Sequence, residues 1–207
     1  MTIFKKREKF IYIISPNKIK KDSFYKDLEL VLKTKKVAYF QLRLKKSKES
    51  RLIYIGKKIK KICDKFKVKL LINDSPIIVK KIGADGCHLG QNDMNIYKAR
   101  KILKNKIIGL TCHNSKNLIL KAIKEKADYI ALGAFFSTKT KKIKHKANIK
   151  ILAYAKNITN IPIVAIGGIK LRNYKKLLLN KANFLAISSY IWNNKKLKPE
   201  EAIKRLK

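Results

Sequence analysis

Two aspartates, each at the end of a short apolar run, have the chemistry to share a divalent cation. Asp74 closes the run 71–74 and Asp93 closes the segment 86–93. Short apolar runs of this kind are typical of buried strands, and ligands of parallel sheets bind outside the carboxyl ends of the strands. Mg²⁺ is usually held by one or two carboxylates together with substrate phosphates and water. Asp74 and Asp93 are therefore the predicted Mg²⁺ ligands of a site that receives a phosphate-bearing substrate.

Side chains suited to phosphate binding follow the second predicted strand. Gln41, Arg43 and Lys45 alternate along the chain, so they point to the same side. Arginine can bind a phosphate through two hydrogen bonds, and lysine contributes a point charge. Three polar side chains at inward positions would be unfavourable in an apolar core, which favours a binding site. The alternative is an edge strand with one solvated face.

Polar or small residues also end the remaining predicted strands. His113 follows the fifth strand and is either a hydrogen-bonded structural residue or an acid–base group. His88 lies inside an apolar strand, which indicates a structural role. Hydroxyls and lysines in the loop 136–146 are typical of an anion-binding loop, and glycine lets backbone N–H groups approach a phosphate. The candidates at these ends are Thr111, Thr138, Thr140, Lys141, Gly167, Gly168, Ser188 and Ser189.

Eight strands that alternate with helices must position these residues, because the apolar periodicity switches repeatedly along the chain. The predicted strands are 10–15, 37–44, 68–74, 86–90, 107–112, 129–134, 163–167 and 184–189. Near-continuous apolar strands, each followed by a helix, favour a parallel sheet, and eight such units can close on themselves. The sequence thus predicts an α/β fold, a single (β/α)8 TIM barrel over residues 1–207. The alternative is a doubly wound open sheet, which the lack of a GxGxxG motif after the first strand disfavours.

The formal net charge of +39 raises the question of a nucleic-acid partner. The lysines are spread over every predicted helix and do not collect in one stripe, which favours a solvated basic surface and small anionic substrates. Three cysteines without CxxC spacing indicate reduced, packed thiols. No apolar run reaches the ~18 residues of a membrane span, and the N-terminal segment lacks signal-peptide features. We therefore expect a cytoplasmic protein with no membrane partner, and a homo-oligomer is compatible with the sequence.

Seven motifs, in order and over nearly the whole chain, resemble those of the thiamine-phosphate synthase family. They are QxRxK at 41–45, ND at 73–74, ADGxHLGQxD at 84–93, TCH at 111–113, GxxFxTxTK at 133–141, AIGGI at 165–169 and a serine at 189. The chain departs from the family pattern at four positions. Thr111 replaces the usual serine, Ala134 and Ser137 stand where prolines are common, and Ser188 stands where an aliphatic residue is usual.

The resemblance implies a transferase that joins hydroxymethylpyrimidine diphosphate to a thiazole phosphate, with or without its carboxylate, and releases diphosphate. It implies Mg²⁺ bound by Asp74 and Asp93, and catalytic roles for Arg43, Lys45, Thr111 and Lys141. The residues implied to hold the pyrimidine diphosphate are Gln41, Arg43, Lys45, Asn73, Thr111 and Lys141. Those implied to bind the thiazole phosphate are Thr138, Thr140, Gly168, Ser188 and Ser189.

Two other functions remain open from the sequence. A thiazole tautomerase, a related isomerase that uses no metal, would depend on His113 and would not need the two carboxylates. A basic nucleic-acid-binding protein on a barrel scaffold would bind RNA or DNA through its lysines in a salt-sensitive way. Because both Asp74 and Asp93 are present, the sequence favours the synthase.

Overall fold

Eight parallel strands close into a barrel in the computed structural model, which describes residues 9–19, 22–137 and 146–207. Each strand pairs with the next in sequence, and the last pairs with the first. The strands are β1 (Ile11–Ile14), β2 (Val37–Leu42), β3 (Lys69–Asn73), β4 (Gly86–Leu89), β5 (Ile107–His113), β6 (Tyr129–Gly133), β7 (Ile163–Ile166) and β8 (Phe184–Ile187). The predicted TIM barrel is confirmed, and a closed barrel excludes the open sheet.

Helices follow the strands and pack around the barrel. They are α1 (Ser23–Lys33), α2 (Glu49–Lys65), α3 (Pro76–Ile82), α4 (Ile96–Leu103), α5 (Lys116–Lys124), α6 (Lys150–Ile158), α7 (Tyr174–Leu179), α8 (Ser189–Trp192) and α9 (Pro199–Lys204). Ser75, Asn95 and Ser115 begin α3, α4 and α5 by accepting a backbone N–H of the first turn.

The short helix α8 corrects one sequence-based boundary. The sequence predicts an eighth strand that runs to Ser189, but β8 ends at Ile187 and Ser189 is already helical. A helix of four residues is too short to produce an apolar periodicity, so no pattern in the sequence distinguishes it from a strand end.

The apolar residues form two separate cores. The larger core lies between the sheet and the helices, and the smaller fills the barrel interior. The interior combines large aromatic rings with alanines that make room for them. Its buried members are Tyr12, Leu71, Tyr129, Ala131, Val164 and Ala186.

Side chains at the amino end of the barrel tie neighbouring strands together. Asp85, just before β4, accepts the backbone N–H of Leu70 in β3 at 2.9 Å, and its own N–H donates to the Leu70 carbonyl at 2.9 Å. This reciprocal bond satisfies backbone groups where the ladder of the sheet ends. The same two hydrogen bonds, one to the side chain and one from the backbone N–H, join Asp128 to Ile108 and Asn183 to Ile163.

The corresponding position before β2 is occupied by Lys36 and uses a different partner. Ile11 of β1 donates its N–H to the Lys36 carbonyl at 3.3 Å. The Lys36 ammonium donates to the carbonyls of Lys204 and Leu206, at 3.1 and 2.8 Å. The segment after α9 is thereby held against the start of β2.

The cysteines and the helices can be compared with what the sequence predicts. Cys63, Cys87 and Cys112 are buried free thiols, as the sequence predicts. Among the described residues, none of the helices has the length and apolarity needed to cross a membrane.

We expect Asp85→Ala to lower the free energy of unfolding by about 2 kcal/mol, because a charged acceptor of a backbone N–H is lost at a largely buried position. The measurement is urea-induced unfolding followed by circular dichroism. The matched control is Glu29→Ala, which removes an exposed carboxylate paired with Lys65 at 3.1 Å and should change stability by less than about 1 kcal/mol. Equal losses in both variants would show that the reciprocal bond has no special effect.

Candidate active site

A cavity of about 1090 Å³ opens at the carboxyl ends of the strands. It is lined by every predicted site residue that lies within the described chain, and by His88, Gln91 and His113 as well. The predicted residues in its wall are Gln41, Arg43, Lys45, Asn73, Asp74, Asp93, Thr111, Gly168, Ser188 and Ser189. Thr138, Thr140 and Lys141 lie outside the described residues.

Asp74 and Asp93 are held by the backbone turns that follow β3 and β4. Asp74 adopts a left-handed conformation with φ of 69°, and its N–H donates to the His88 carbonyl at 2.8 Å. Asp93 Oδ2 accepts the N–H of Gly90 at 2.6 Å. A Cβ on Gly90 would lie 3.0 Å from that same oxygen, so glycine permits the close approach.

The two carboxylates face each other and interact unfavourably when both are ionised. Burial raises the pKa of Asp74, and the neighbouring Asp93, through a hydrogen bond and its charge, raises it further. Lys45, whose ammonium lies 3.8 Å from Asp74, and Arg43 act in the opposite direction. A pair of oxygen donors with excess negative charge fits a hard divalent cation.

Asp74 and Asp93 stand as a pair, without a third acidic, histidine or cysteine ligand among the described residues. Within the described ranges, no group of three or more His, Cys, Asp or Glu side chains is arranged to hold an ion. A cation bound by Asp74 and Asp93 would therefore need water or substrate oxygens to complete its shell, which is the usual situation of Mg²⁺.

A basic wall stands beside the carboxylates. Gln41, the last residue but one of β2, is 2% exposed, whereas Arg43 is half-buried and Lys45 is exposed. Burial lowers the pKa of Arg43 and the charge of Asp74 raises it, while guanidinium groups stay protonated in proteins. A half-buried guanidinium is weakly screened, so it can interact strongly with a bound anion.

A chain of hydrogen bonds crosses the floor of the cavity and was not predicted. Gln41 Nε2 donates to the Tyr12 hydroxyl at 2.9 Å, and the Tyr12 and Tyr129 hydroxyls are 2.9 Å apart. The Tyr129 hydroxyl lies 2.8 Å from His88 Nδ1, and His88 Nε2 lies 2.7 Å from Thr111 Oγ1. His88 is buried, as the sequence predicts, but both of its ring nitrogens are engaged.

The close packing of the loops after β6 and β7 explains why residues 167 and 168 are glycines. Gly167 and Gly168 have φ values of 105° and 61°, in the left-handed region. A Cβ on Gly168 would lie 2.4 Å from the Ser137 carbonyl oxygen, and one on Gly167 would lie 2.4 Å from the Ala134 Cβ. The close approach of these two loops requires both glycines, independently of any phosphate.

The serine pair after β8 is divided between two roles. The Ser188 hydroxyl donates to the Ser15 carbonyl at 3.2 Å, which ties the end of β8 to the end of β1. Ser189 is the first residue of α8 and lines the cavity. Of the two hydroxyls, that of Ser188 is therefore occupied by the protein itself.

A closed (β/α)8 barrel with acidic, basic and hydroxyl side chains at the carboxyl ends of its strands is the architecture of TIM-barrel enzymes. The family model described as thiamine monophosphate synthase matches residues 11–191 of the chain. The chain therefore belongs to the thiamine monophosphate synthase family, as its motifs indicate.

Individual relatives agree with this assignment. The thiamine-phosphate synthase of Pelagibacter ubique is 67% identical over 200 residues, which cover 97% of each chain. That of Rhodospirillum centenum is 35% identical over 185 residues, 89% of each chain. The solved structure of thiamine phosphate pyrophosphorylase from Pyrococcus furiosus superposes with a TM-score of 0.85 at 25% identity, covering 96% of this chain and 94% of that one.

The buried histidine generates a pH-dependent stability. Burial lowers the pKa of His88 to about 4; Asp93 opposes this shift and Arg43 adds to it. In the unfolded chain a histidine titrates near pH ~6.5, so unfolding takes up a proton at pH values between ~4 and ~6.5. The stabilisation present above pH ~6.5 is therefore lost as the pH falls, by about 2 kcal/mol between pH 7 and pH 5.

The variant His88→Gln should lack this pH-dependent part of the free energy of unfolding. Urea-induced unfolding of both proteins at pH 7 and pH 5 measures it as the difference between their pH dependences, whatever the absolute stability of the variant. Identical pH dependences would show that His88 has a normal pKa in the folded protein.

Proposed function

We propose that this chain condenses hydroxymethylpyrimidine diphosphate with a thiazole phosphate to give thiamine phosphate and diphosphate. The observation that supports this best is the adjacency, in one cavity, of the carboxylate pair Asp74 and Asp93 with the basic residues Arg43 and Lys45. A diphosphate with an associated cation matches both halves of this arrangement in charge. The family and its curated relatives carry the same activity in their names.

The proposed reaction is dissociative. The C–O bond between the pyrimidine methylene and the diphosphate breaks, and its electron pair leaves with the diphosphate. The electron-rich aminopyrimidine stabilises the resulting cation. The lone pair of the thiazole nitrogen then forms the new C–N bond.

No proton has to be removed in these steps, so the site needs no general base. This agrees with His88, whose two ring nitrogens are both hydrogen-bonded inside the protein. Catalysis then rests on positioning and on neutralising the charge of the leaving group.

Residues of the basic wall and the cavity floor perform these tasks in the proposal. Arg43, Lys45 and Lys141 neutralise the leaving diphosphate, and Gln41, Asn73 and Thr111 orient the pyrimidine substrate. The thiazole phosphate is assigned to Thr138, Thr140, Gly168, Ser188 and Ser189. Because the Ser188 hydroxyl donates to Ser15, Ser188 would contact that phosphate through its backbone.

Asp74 and Asp93 would hold Mg²⁺, which when bound supplies positive charge to the diphosphate oxygens. The cation would also offset the charge of Asp93, which adds to the effect of burial in raising the pKa of Asp74. The remaining parts of the proposal are a single domain over residues 1–207, a cytoplasmic location and small-molecule partners. In the sequence the lysines are spread over every predicted helix, which favours small anionic substrates over a nucleic acid.

We expect thiamine phosphate to form from the two substrates with Mg²⁺ and not with chelator. Asp93→Ala should lower the rate by roughly 10²–10³-fold, the range found when one charge-stabilising contact is lost from a reacting site. The control Asp64→Ala removes an exposed carboxylate on α2 and should leave the rate unchanged. Chromatographic detection of thiamine phosphate measures all three proteins.

Metal binding has its own readout in thermal unfolding. Mg²⁺ should raise the melting temperature of the wild type, and Asp74→Asn should abolish the increase while leaving the metal-free protein at least as stable, because a repulsive charge is removed. Product formation in chelator would contradict the Mg²⁺ assignment.

Two other results would support the alternative functions. A folded protein that makes no thiamine phosphate but isomerises the thiazole, and loses this activity in His113→Ala, would be a tautomerase. Salt-sensitive RNA binding that survives Asp74→Ala would support a nucleic-acid-binding protein.

A further inference from the structure

We propose that Tyr12, Tyr129 and His88 are positioning residues that form a directional hydrogen-bond relay between Gln41 and Thr111. The relay fixes the Thr111 hydroxyl as a donor toward the cavity and holds the Gln41 side chain on the opposite wall. The identity of the ligand that Thr111 meets, the pyrimidine diphosphate, rests on the proposed function. The relay itself rests on the geometry of the barrel interior.

The relay joins residues of five strands, β2, β1, β6, β4 and β5, and it crosses the barrel interior between Tyr12 and Tyr129. Its four hydrogen bonds, from Gln41 through Tyr12, Tyr129 and His88 to Thr111, measure 2.9, 2.9, 2.8 and 2.7 Å. Tyr12 and Tyr129 are 2% and 3% exposed, and His88 is 8% exposed. Polar groups buried this deeply require partners, and here each is the partner of the next.

Gly109 makes the central contact of the relay possible. His88, Gly109 and Tyr129 occupy one row across β4, β5 and β6, because His88 pairs with Gly109 and Gly109 with Tyr129. A Cβ on Gly109 would lie 1.9 Å from the Tyr129 Cζ, so the tyrosine ring occupies the space over the glycine. From there the ring stacks on His88, with centroids 5.6 Å apart and an interplanar angle of 18°.

The direction of the relay follows from its first bond. The Gln41 amide nitrogen can only donate, so the Tyr12 oxygen accepts and the Tyr12 proton goes to Tyr129. Tyr129 then has its own proton for His88 Nδ1, and His88 must carry its proton on Nε2. Thr111 Oγ1 accepts that proton, which leaves the Thr111 hydroxyl proton for a ligand in the cavity.

The environment keeps the two tyrosines of the relay uncharged. Burial raises the pKa values of Tyr12 and Tyr129 above the usual tyrosine range, so both keep their protons near pH 7 and remain donors. Each ring nitrogen of His88 lies against a hydroxyl oxygen, that of Tyr129 or that of Thr111, so the order of donors and acceptors follows from the hydrogen bonds themselves.

The first test uses ¹⁵N nuclear magnetic resonance of the histidine ring nitrogens in the substrate-free protein. We expect His88 at pH 7 to be neutral and protonated on Nε2, with Nδ1 accepting a hydrogen bond. Its signals are identified by their absence in His88→Gln. Tyr129→Phe, which keeps the aromatic ring, should shift the Nδ1 resonance because its donor is lost.

Two other tyrosines provide matched comparisons. In Tyr12→Phe, His88 Nδ1 is the acceptor that remains for the buried Tyr129 proton among its partners in the described residues, so the His88 tautomer should stay the same although the bond from Gln41 is lost. Tyr39 lies in the same aromatic cluster, 6.2 Å from the Tyr129 ring, and its hydroxyl makes no hydrogen bond within residues 9–19, 22–137 and 146–207. Tyr39→Phe should leave both the His88 signals and the enzyme activity unchanged.

Comparison of kcat with KM then distinguishes a positioning role of the two tyrosines from a role in packing alone. A donor that positions the pyrimidine substrate for loss of its diphosphate acts more on the transition state than on the ground state, so Tyr129→Phe should lower kcat by about tenfold, the effect of about one hydrogen bond. The KM for the pyrimidine diphosphate should rise less than kcat falls. Tyr12→Phe releases Gln41 and should act mainly on that KM.

Each outcome decides between the alternatives. A His88 ring that is charged or protonated on Nδ1 at pH 7 would overturn the relay, and so would equal effects of Tyr129→Phe and Tyr39→Phe. Because the nuclear magnetic resonance readout needs no substrate, it can fail while the wild type still makes thiamine phosphate. Conversely, a wild type without synthase activity would refute the proposed function and leave the relay measurable.

Discussion

The repulsion between Asp74 and Asp93 is the constraint on which the arrangement of the cavity depends. Two carboxylates are brought together in a place that burial already makes unfavourable for charge, which raises the pKa of Asp74. The fold holds them there through backbone hydrogen bonds, from Asp74 to the His88 carbonyl and from Gly90 to Asp93. The positive side chains of Lys45 and Arg43 beside the pair act in the opposite direction and offset only part of the effect of burial and of Asp93 on Asp74.

Much of the cavity wall could be predicted from the sequence because strand periodicity is a local property. The alternation of Gln41, Arg43 and Lys45 predicted a common side, and all three line the cavity although β2 ends at Leu42. The apolar run before Asp74 likewise predicted a strand end. The periodicity and composition of a strand indicate the face on which each side chain lies. In a barrel, this face and the position of the strand end are nearly sufficient to place the side chain in the cavity.

The cavity floor could not be predicted in the same way. Tyr12 and Tyr129 are 117 residues apart in sequence and meet only because the barrel closes. In a strand, tyrosine is an ordinary residue, so neither position draws attention. The one available signal was Gly109, a glycine inside an apolar strand, which often marks a site where another group approaches closely. The glycine pair Gly167 and Gly168 similarly has a packing role that the motif alone does not reveal.

The contact of Lys36 with the last helix has a consequence for the order in which parts of the barrel can form during synthesis. Its ammonium binds the carbonyls of Lys204 and Leu206, whereas the equivalent positions before β4, β6 and β8 are satisfied by strands already adjacent in sequence. During synthesis on the ribosome, the later pairs of strands can therefore complete their amino ends as soon as they emerge. The contact of the Lys36 ammonium with residues 204 and 206 can form only after those residues have left the exit tunnel, so it joins the first part of the nascent chain to one of the last parts to be synthesised.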